Sequence, residues 1–541
     1  MTVRLSAPTT ARTVGGTARA ATASWLRAAA VALPLLLGIA AKAPEIVLPL
    51  GPDQGTYSYV AERLLAGGQP YVDAFDNKPP GTYVAHAAVL ALVPAGARWQ
   101  RSCLPGGLFQ PCGYLALQVV DVLGTAATVL LLFAVARRLA ESDRVAVAAA
   151  SVAAVFLNLS QLSKEGSTPE KQLLLPMVLA YLATLRWLDG RRPGWLILAG
   201  VGAGVAFLFK QTAVSIPLAL AAWALWTTGG GDRRAAVLRA RGAALLFAGG
   251  AALPIAVACA YLAARGALGA FWEAAFVYNV GQAGSSVGAI PYAFLRGAWQ
   301  VFNESSALLW LLACGGGLRL LGERSPRTRL ALCWAVADLA SLFLGGTKFA
   351  QVSFVQLVPS FAILAALALE TAWAATRGAP LARLFVALTL ATVFALSTSL
   401  QVHVALRAWN DRLPGRAVPP AEEVVAQRLV PLSGPLYVWG DASQLYLLTG
   451  EGSPSRFFQV YPLSQFFTRG TGYLARRAEL VRALEGEPPA AIAIDPATAR
   501  DDPDGTRALA IRTFPELESL LASDYRPLDG LPGGWRAYVH R

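Results

Sequence analysis

Three kinds of residue in this 541-residue chain have the type and spacing for chemistry: an early aspartate, a few scarce lysines, and further acids near both. Asp53 opens the polar run DQGTYSYVAERLLAGG, directly after the first apolar stretch. An aspartate in that place serves as a helix N-cap, or as a general base that takes the proton of an attacking hydroxyl. The chain has 46 Lys and Arg, and only six are lysines: 42, 78, 164, 171, 210 and 348. The other 40 are arginines, so each lysine stands against a strong bias. An ammonium is a compact charge with three donors, suited to phosphate; the bland alternative, snorkelling from a helix end, fits Lys42 and Lys171. Lys78 lies in DNKPPG, where two prolines stiffen the backbone and set its direction. Lys210 lies in AFLFKQTAV, between apolar runs, where an unpaired ammonium at membrane depth costs on the order of 3 kcal/mol and calls for an anionic partner. Lys348, in LGGTKFAQVSF, interrupts a second such pair. Together Lys78, Lys210 and Lys348 suit a lipid phosphate or diphosphate. Asp73 and Asp76 hold sugar hydroxyls or cap turns, and Glu165 and Glu170 in SKEGSTPEKQ bind polar sugar groups or solvate a turn. Gln54, Tyr57 and Gln211 complete the candidate sugar- or acceptor-binding set.

The elements that must position these residues are membrane helices. The chain is 55% hydrophobic and 15% charged, with a mean hydropathy of +0.48; soluble domains carry roughly a quarter charged residues. The apolar residues come in runs long enough to cross a bilayer, which needs about 20 residues per helix. They fall near 28–49, 114–136, 145–161, 172–186, 195–210, 212–227, 243–264, 299–318, 329–345, 350–371 and 384–402, predicting a polytopic α-helical membrane protein with about 11 transmembrane helices. The net charge of +13 is read through the positive-inside rule rather than as nucleic-acid binding. Arginines cluster at 137/138/144, 186/191/192, 233/234/239/241, 319/324/327/329 and 377/383, each between two apolar runs. A basic tail, 1–27, puts the N-terminus in the cytoplasm, and the 11-crossing count then places every arginine cluster there too. Residues 28–402 form the membrane domain, and 51–113 its large first external loop. Residues 82–95 are read as an interfacial helix, because counting them as a crossing would turn every later arginine cluster outward. A signal-peptidase site at Ala41-Lys42-Ala43 is the alternative for the first helix, and it also leaves residue 51 outside.

From 403 the apolar runs shorten to PLYVWG, PAAIAID and GWRAYVH, bounded by Gly, Pro or Asp, with helix-like stretches between. That pattern predicts a small extracytoplasmic α/β domain over 403–541. Cys103 and Cys112 in the first external loop suit a disulfide, whereas Cys259, Cys314 and Cys333 fall in or at helices as small hydrophobes. Only His86, His403 and His540 are present, and no Cys/His spacing suits zinc. No cofactor is implied; a divalent metal is chemically possible, but no residue cluster indicates one.

The run DQGTYSYVAERLLAGGQPYVDAFDNKPPG resembles the first external loop of GT-C fold, polyprenyl-phosphate-sugar-dependent glycosyltransferases, the group of protein O-mannosyltransferases, lipid A aminoarabinose transferases and their bacterial relatives. TPEKQLLLP, FLFKQTAV and GGTKFAQVSFVQLVPSFAILAAL resemble later helix-end motifs, and LYVWGDASQLYLLTGEGSPSRFFQVYPL the start of their C-terminal domain. The resemblance implies a polyprenyl-phosphate-linked sugar as donor, a glycan, lipid or protein hydroxyl outside the cytoplasm as acceptor, and inversion at the anomeric carbon. Asp53 matches the family's catalytic aspartate and Lys78 its lipid-phosphate lysine. Two positions depart: Gln54 stands where Glu usually follows the aspartate, and Gln351-Val352-Ser353 where a His-Tyr pair is common. A flippase or transporter of lipid-linked sugars is the alternative function, and a non-catalytic polyprenyl-lipid-binding relative the third. A transporter predicts charges spread through the membrane depth; these gather at one face.

Overall fold

Proline stands in the first turn of several helices, where its missing N–H has no partner to lose. The computed structural model describes residues 31–541 apart from 41, 43–45, 47, 105–109, 160–161, 163–165, 228–232, 284–286, 324, 346–348, most of 382–419, 465–471 and 497–510. The N-terminal part is helical: α1 (Val31–Ala40), α2 (Pro52–Leu65), α3 (Gly81–Leu90), α4 (Cys112–Ala140), α5 (Asp143–Phe156), α6 (Pro169–Gly190) and α7 (Pro193–Phe209). It continues through α8 (Ser215–Thr227), α9 (Arg233–Ala264), α10 (268–283), α11 (Ile290–Val301), α12 (Ala307–Leu321), α13 (Pro326–Ser341) and α14 (Val358–Ala375). Among the described residues, Cys112–Ala140, Pro169–Gly190, Arg241–Ala264, Pro326–Gly345 and Gln351–Ala375 are each long and apolar enough to cross a membrane. The runs expected at 145–161, 195–210 and 212–227 form helices of 14, 17 and 13 residues. The last two are separate because Lys210 adopts an extended backbone, and the short 3-10 turn Gln211–Val214 follows it. The run at 384–402 lies almost wholly outside the described residues. Helix α3, at 10 residues, is about 15 Å long at 1.5 Å per residue, half the hydrocarbon thickness.

The C-terminal part holds α15 (Ala421–Leu429), β1 (Leu436–Trp439), α16 (Gln444–Thr449), α17 (Gly472–Gly486), β2 (Ala491–Ile494), α18 (Pro515–Asp524), β3 (Tyr525–Leu528) and β4 (Arg536–His540). The sheet order is β1-β2-β4-β3, with β1 and β2 parallel and the other pairs antiparallel. LYVW and AIAI are buried at every position, as strands covered on both faces must be.

This α/β unit does not bury its apolar surface alone. One hydrophobic core joins Tyr57, Tyr59, Tyr71, Phe75 and Tyr83 of the segment after α1 to Tyr437, Tyr446, Phe457 and Phe458 of the C-terminal part. Tyr59 stacks obliquely on Tyr446 and Phe458, at centroid distances of 4.7 and 4.6 Å, contacts worth about 0.5–1.5 kcal/mol each beyond area burial. The second core lies among the apolar helices, with Val358 to Leu367 of α14 buried without a break.

Cys103 and Cys112 form a disulfide that closes the loop entering α4. Closing so short a loop contributes about 2–3 kcal/mol through the unfolded state. The Cys103→Ser/Cys112→Ser protein is therefore expected to be less stable by about that amount and to melt at a lower temperature, measured against wild type in one detergent with and without reductant. Reductant should lower the wild type and leave the double variant unmoved.

Candidate functional site

The N-terminal turn of α2 carries Asp53, with Pro52 as its lead-in. Tyr57, four residues on, stands on the same helix face. Its ring is nearly fully buried and meets His86 edge-on. Burial, followed by the charges of Asp53, Glu170, Asp76 and Asp441, holds the Tyr57 hydroxyl well above the usual tyrosine range. It therefore stays a proton-bearing donor, within electrostatic reach of four carboxylates drawn from four parts of the chain.

The cations reach this place through a close backbone approach. Lys78-Pro79-Pro80 delivers the chain to Gly81, where a Cβ would lie 2.5 Å from the Leu208 carbonyl at the end of α7. Only glycine lets the start of α3 seat there, and that contact brings the Lys78 turn to the break that carries Lys210. Lys210 Nζ is 2.7 Å from Glu170 Oε1 and 3.3 Å from Ser353 Oγ. Lys78 lies within electrostatic reach of the same Glu170, and its ammonium donates to Asn77 Oδ1 at 2.7 Å. The Lys78 carbonyl accepts Tyr71 and Tyr83 hydroxyls at 2.9 and 3.4 Å, so the turn is fixed from below. Tyr83 also donates to Asp76 Oδ2 at 2.7 Å. Asn77 and Asn279 bond each other, and Gln211 donates to the Ala275 carbonyl, tying α10 to both lysine turns.

Gln54 donates to the Gly166 carbonyl at 2.6 Å, while its Oε1 is buried without a partner among the described residues. His86 lies 3.0 Å from the next carbonyl, Ser167, through Nε2 and 3.3 Å from Ser58 Oγ through Nδ1. Burial pushes His86 down to about 4, so it is neutral near pH 7. A carbonyl only accepts, so Nε2 carries the proton and Nδ1 accepts from Ser58. Asp121 of α4 takes the Ser167 N–H at 3.0 Å. Three side chains thus clamp the loop that leads into Glu170.

The C-terminal part closes the other side. A Cβ on Gly55 would lie 2.7 Å from the Gln444 nitrogen, so the start of α16 rests directly on α2. Thr56 donates to Ser443 Oγ at 3.1 Å, and Gln459 joins the same pair. Asp441, in the turn between β1 and α16, accepts the Tyr461 hydroxyl at 2.5 Å. Burial raises the Tyr461 hydroxyl, with Asp441 next and Asp53 among the contributing charges.

The candidate residues thus divide. Asp53, Tyr57, Asp76, Lys78, Glu170 and Lys210 are brought into one neighbourhood. Asp73 closes its own turn, accepting the Gln69 N–H at 2.6 Å, and Gln211 braces α10. Lys348 and Glu165 lie outside the described residues. Snorkelling is the wrong reading for Lys42 and Lys171: both are buried against Asp121 Oδ2, at 3.0 and 2.6 Å, because a carboxylate inside α4 offers a partner that water would otherwise supply. In the sequence Asp121, Asp441 and Tyr461 carry no assigned role, His86 enters only in the count of histidines, and Ser353 only as a departure from the family's pattern. A lone Asp in the apolar run 114–136 was the one signal available, and it pointed to Asp121. Among the described residues no group of three or more His, Cys, Asp and Glu is arranged to hold a metal ion. The carboxylates near Tyr57 are engaged as acceptors: Asp76 accepts from Tyr83, Asp441 from Tyr461 and Glu170 from Lys210.

A family model described as dolichyl-phosphate-mannose-protein mannosyltransferase matches residues 108–261. No curated protein sequence matches the chain. Among solved structures, ArnT from Cupriavidus metallidurans in the apo state superposes with a TM-score of 0.58 at 16% identity, covering 96% of this chain and 98% of that one. The same protein bound to undecaprenyl phosphate gives 0.56 at 15%, covering 95% and 98%. The Archaeoglobus fulgidus oligosaccharyltransferase AglB, in complex with an inhibitory peptide and a dolichol-phosphate, gives 0.54 at 14%, covering 96% and 74%. These likenesses establish the architecture: the chain has the GT-C fold, an assembly of membrane helices with a small C-terminal sheet.

Proposed function

We propose that this protein is a membrane glycosyltransferase that moves a sugar from a polyprenyl-phosphate donor to an extracytoplasmic hydroxyl, with inversion. The observation that carries the reading is the set of charges around Tyr57: Asp53, Asp76, Glu170 and Asp441 lie within electrostatic reach of its hydroxyl, Tyr461 bonds Asp441, and Glu170 holds Lys210 and lies within reach of Lys78. The solved relatives with undecaprenyl phosphate or dolichol-phosphate bound share this fold and support the choice of donor.

In the proposed step Asp53 takes the proton of the acceptor hydroxyl as its oxygen attacks the anomeric carbon. The bond from that carbon to the phosphate oxygen breaks, and its electron pair stays on the phosphate. Lys78 and Lys210, with Lys348 as a third candidate, stabilise the charge that develops. A phosphate leaving group received by cations needs no proton. Tyr57, Asp76 and Gln54 hold sugar or acceptor hydroxyls, and Asp441 with Tyr461 brings the C-terminal domain into acceptor binding. The N-terminus and arginine clusters face the cytoplasm of an inner or plasma membrane, and the site and residues 403–541 face outward.

The test is to give the purified protein polyprenyl-phosphate sugars and candidate acceptors and to follow release of free polyprenyl phosphate. Sugar-lipid crossing of a vesicle membrane with no bond cleaved overturns the reading in favour of a flippase. Lys78→Ala is expected to raise donor KM by about tenfold or more, the size of a lost charge-assisted contact to phosphate. The check is steady-state kinetics over a range of donor concentrations.

A further inference from the structure

Asp338 is fully buried in α13, within the membrane-length span Pro326–Gly345, and none of the steps above uses it. No Lys, Arg or His pairs with it among the described residues; its neighbours are the Gln356 amide, serine hydroxyls and the Trp334 indole. Ser360 of α14 donates to Asp338 Oδ2 at 3.2 Å. Gln356 Nε2 faces Asp338 Oδ1 at 3.4 Å, Ser341 Oγ at 3.2 Å, Ser215 Oγ at 3.2 Å and the Thr212 carbonyl at 3.3 Å. Gln356 Oε1 in turn accepts the Thr212 hydroxyl at 2.6 Å. An acid at membrane depth costs on the order of 3 kcal/mol relative to an apolar residue, and a buried amide left without partners a further 1–3 kcal/mol or so. A leucine at 338 would avoid the first cost but take an acceptor from Gln356 and Ser360, so what the acid contributes is the set of bonds it holds together.

Those bonds join two short 3-10 turns, Gln211–Val214 and Gln351–Leu357. The first begins immediately after Lys210, whose extended backbone leaves its direction to that turn. The second carries Ser353, which meets Lys210 Nζ. Thr212 and Gln356 are thus the latch between the turn that aims Lys210 and the turn that meets its tip, and Asp338 anchors Gln356 from behind.

We infer that Asp338 is a positioning residue for Lys210, acting through Gln356 and Thr212 to hold the ammonium where the donor phosphate binds. The inference rests on the phosphate-site reading above. Its experiment measures direct binding of undecaprenyl phosphate to the purified full chain in nanodiscs. Wild type, Asp338→Asn, Asp338→Leu, Lys210→Ala and the Asp338→Leu/Lys210→Ala double variant are compared. Asp338→Leu is expected to weaken binding about tenfold, a coupling of ordinary size for residues in one network. Asp338→Asn, which keeps the shape and an acceptor oxygen, should stay within about threefold of wild type. The double variant should bind no more weakly than Lys210→Ala alone, a non-additivity that a merely structural role does not produce. Should Asp338→Leu not fold, Thr212→Val cuts the latch at nearly constant volume and must show the same non-additivity. Losses that add in full, or Asp338→Leu binding as tightly as wild type, overturn the inference alone. Wild type that does not bind undecaprenyl phosphate overturns the phosphate-site reading, and the inference with it.

Discussion

Asp53→Asn is expected to lower kcat by about 10²–10⁴-fold, the range that a positioned general base supplies, while leaving undecaprenyl phosphate binding within about threefold. The amide keeps the shape of the side chain and its place in the first turn of α2, so neither the helix nor the Gly55–Gln444 contact has cause to move. What it loses is the capacity to accept a full proton. The cations lie on other elements: Lys78 in the turn before α3 and Lys210 at the break after α7. Donor binding and proton removal are therefore separable, and the variant should separate them. The N-cap reading of Asp53 predicts the reverse, a protein of lower stability and near-normal turnover per folded molecule. The structure already weakens that alternative, since Gly51 is the N-cap and Asp53 lies inside the helix. Single-turnover release of polyprenyl phosphate, normalised to binding-competent protein, distinguishes the two. Undiminished turnover assigns the base elsewhere, and Asp441, which Tyr461 already contacts, is then the group to replace.

How much of this was legible beforehand depends on whether a residue's partner lies nearby in the chain. Lys78 was readable because its own neighbours, Pro79 and Pro80, stiffen it, and Lys210 because a charge between apolar runs must break a helix and find an acid. The structure supplies both the break and Glu170. Asp441 and Tyr461 gave no such signal. They sit 388 and 408 residues after Asp53, and the core shared between Tyr59 and Tyr446, with the contacts of Gly55 and Thr56 to Gln444 and Ser443, carries them there. Gln54 read as a departure from a motif, yet its amide clamps the Gly166 carbonyl, a backbone partner that no side-chain pattern encodes. Lys42 and Lys171 misled for the same reason: each resembles an ordinary helix-end lysine until Asp121 is placed between them.

Asp121→Ala is the substitution expected to harm stability most, by about 3–5 kcal/mol, the loss typical when one member of a buried charge cluster is removed. The carboxylate accepts Lys42 and Lys171 through Oδ2 and the Ser167 N–H through Oδ1. All three residues are buried, so the two ammonium groups would lose a carboxylate that water cannot replace without opening the helices. The cost does not mean that the cluster itself stabilises by that amount, because desolvating three charges opposes their attraction. That distinction yields the control. Lys171→Met alone should cost less than Asp121→Ala, since it leaves Asp121 with Lys42. Added to Asp121→Ala, the same change should recover part of the loss by removing one stranded charge. The Ser167 bond extends the effect to the site, because the loop it fixes also receives Gln54 and His86. Asp121→Ala should therefore weaken undecaprenyl phosphate binding even well below its melting temperature, whereas Asp121→Asn, which still accepts the Ser167 N–H, should keep more of it. Thermal melts of wild type and the four variants in one detergent, paired with binding at low temperature, provide both readings. Additive losses for Asp121→Ala and Lys171→Met would show that the two charges do not depend on each other.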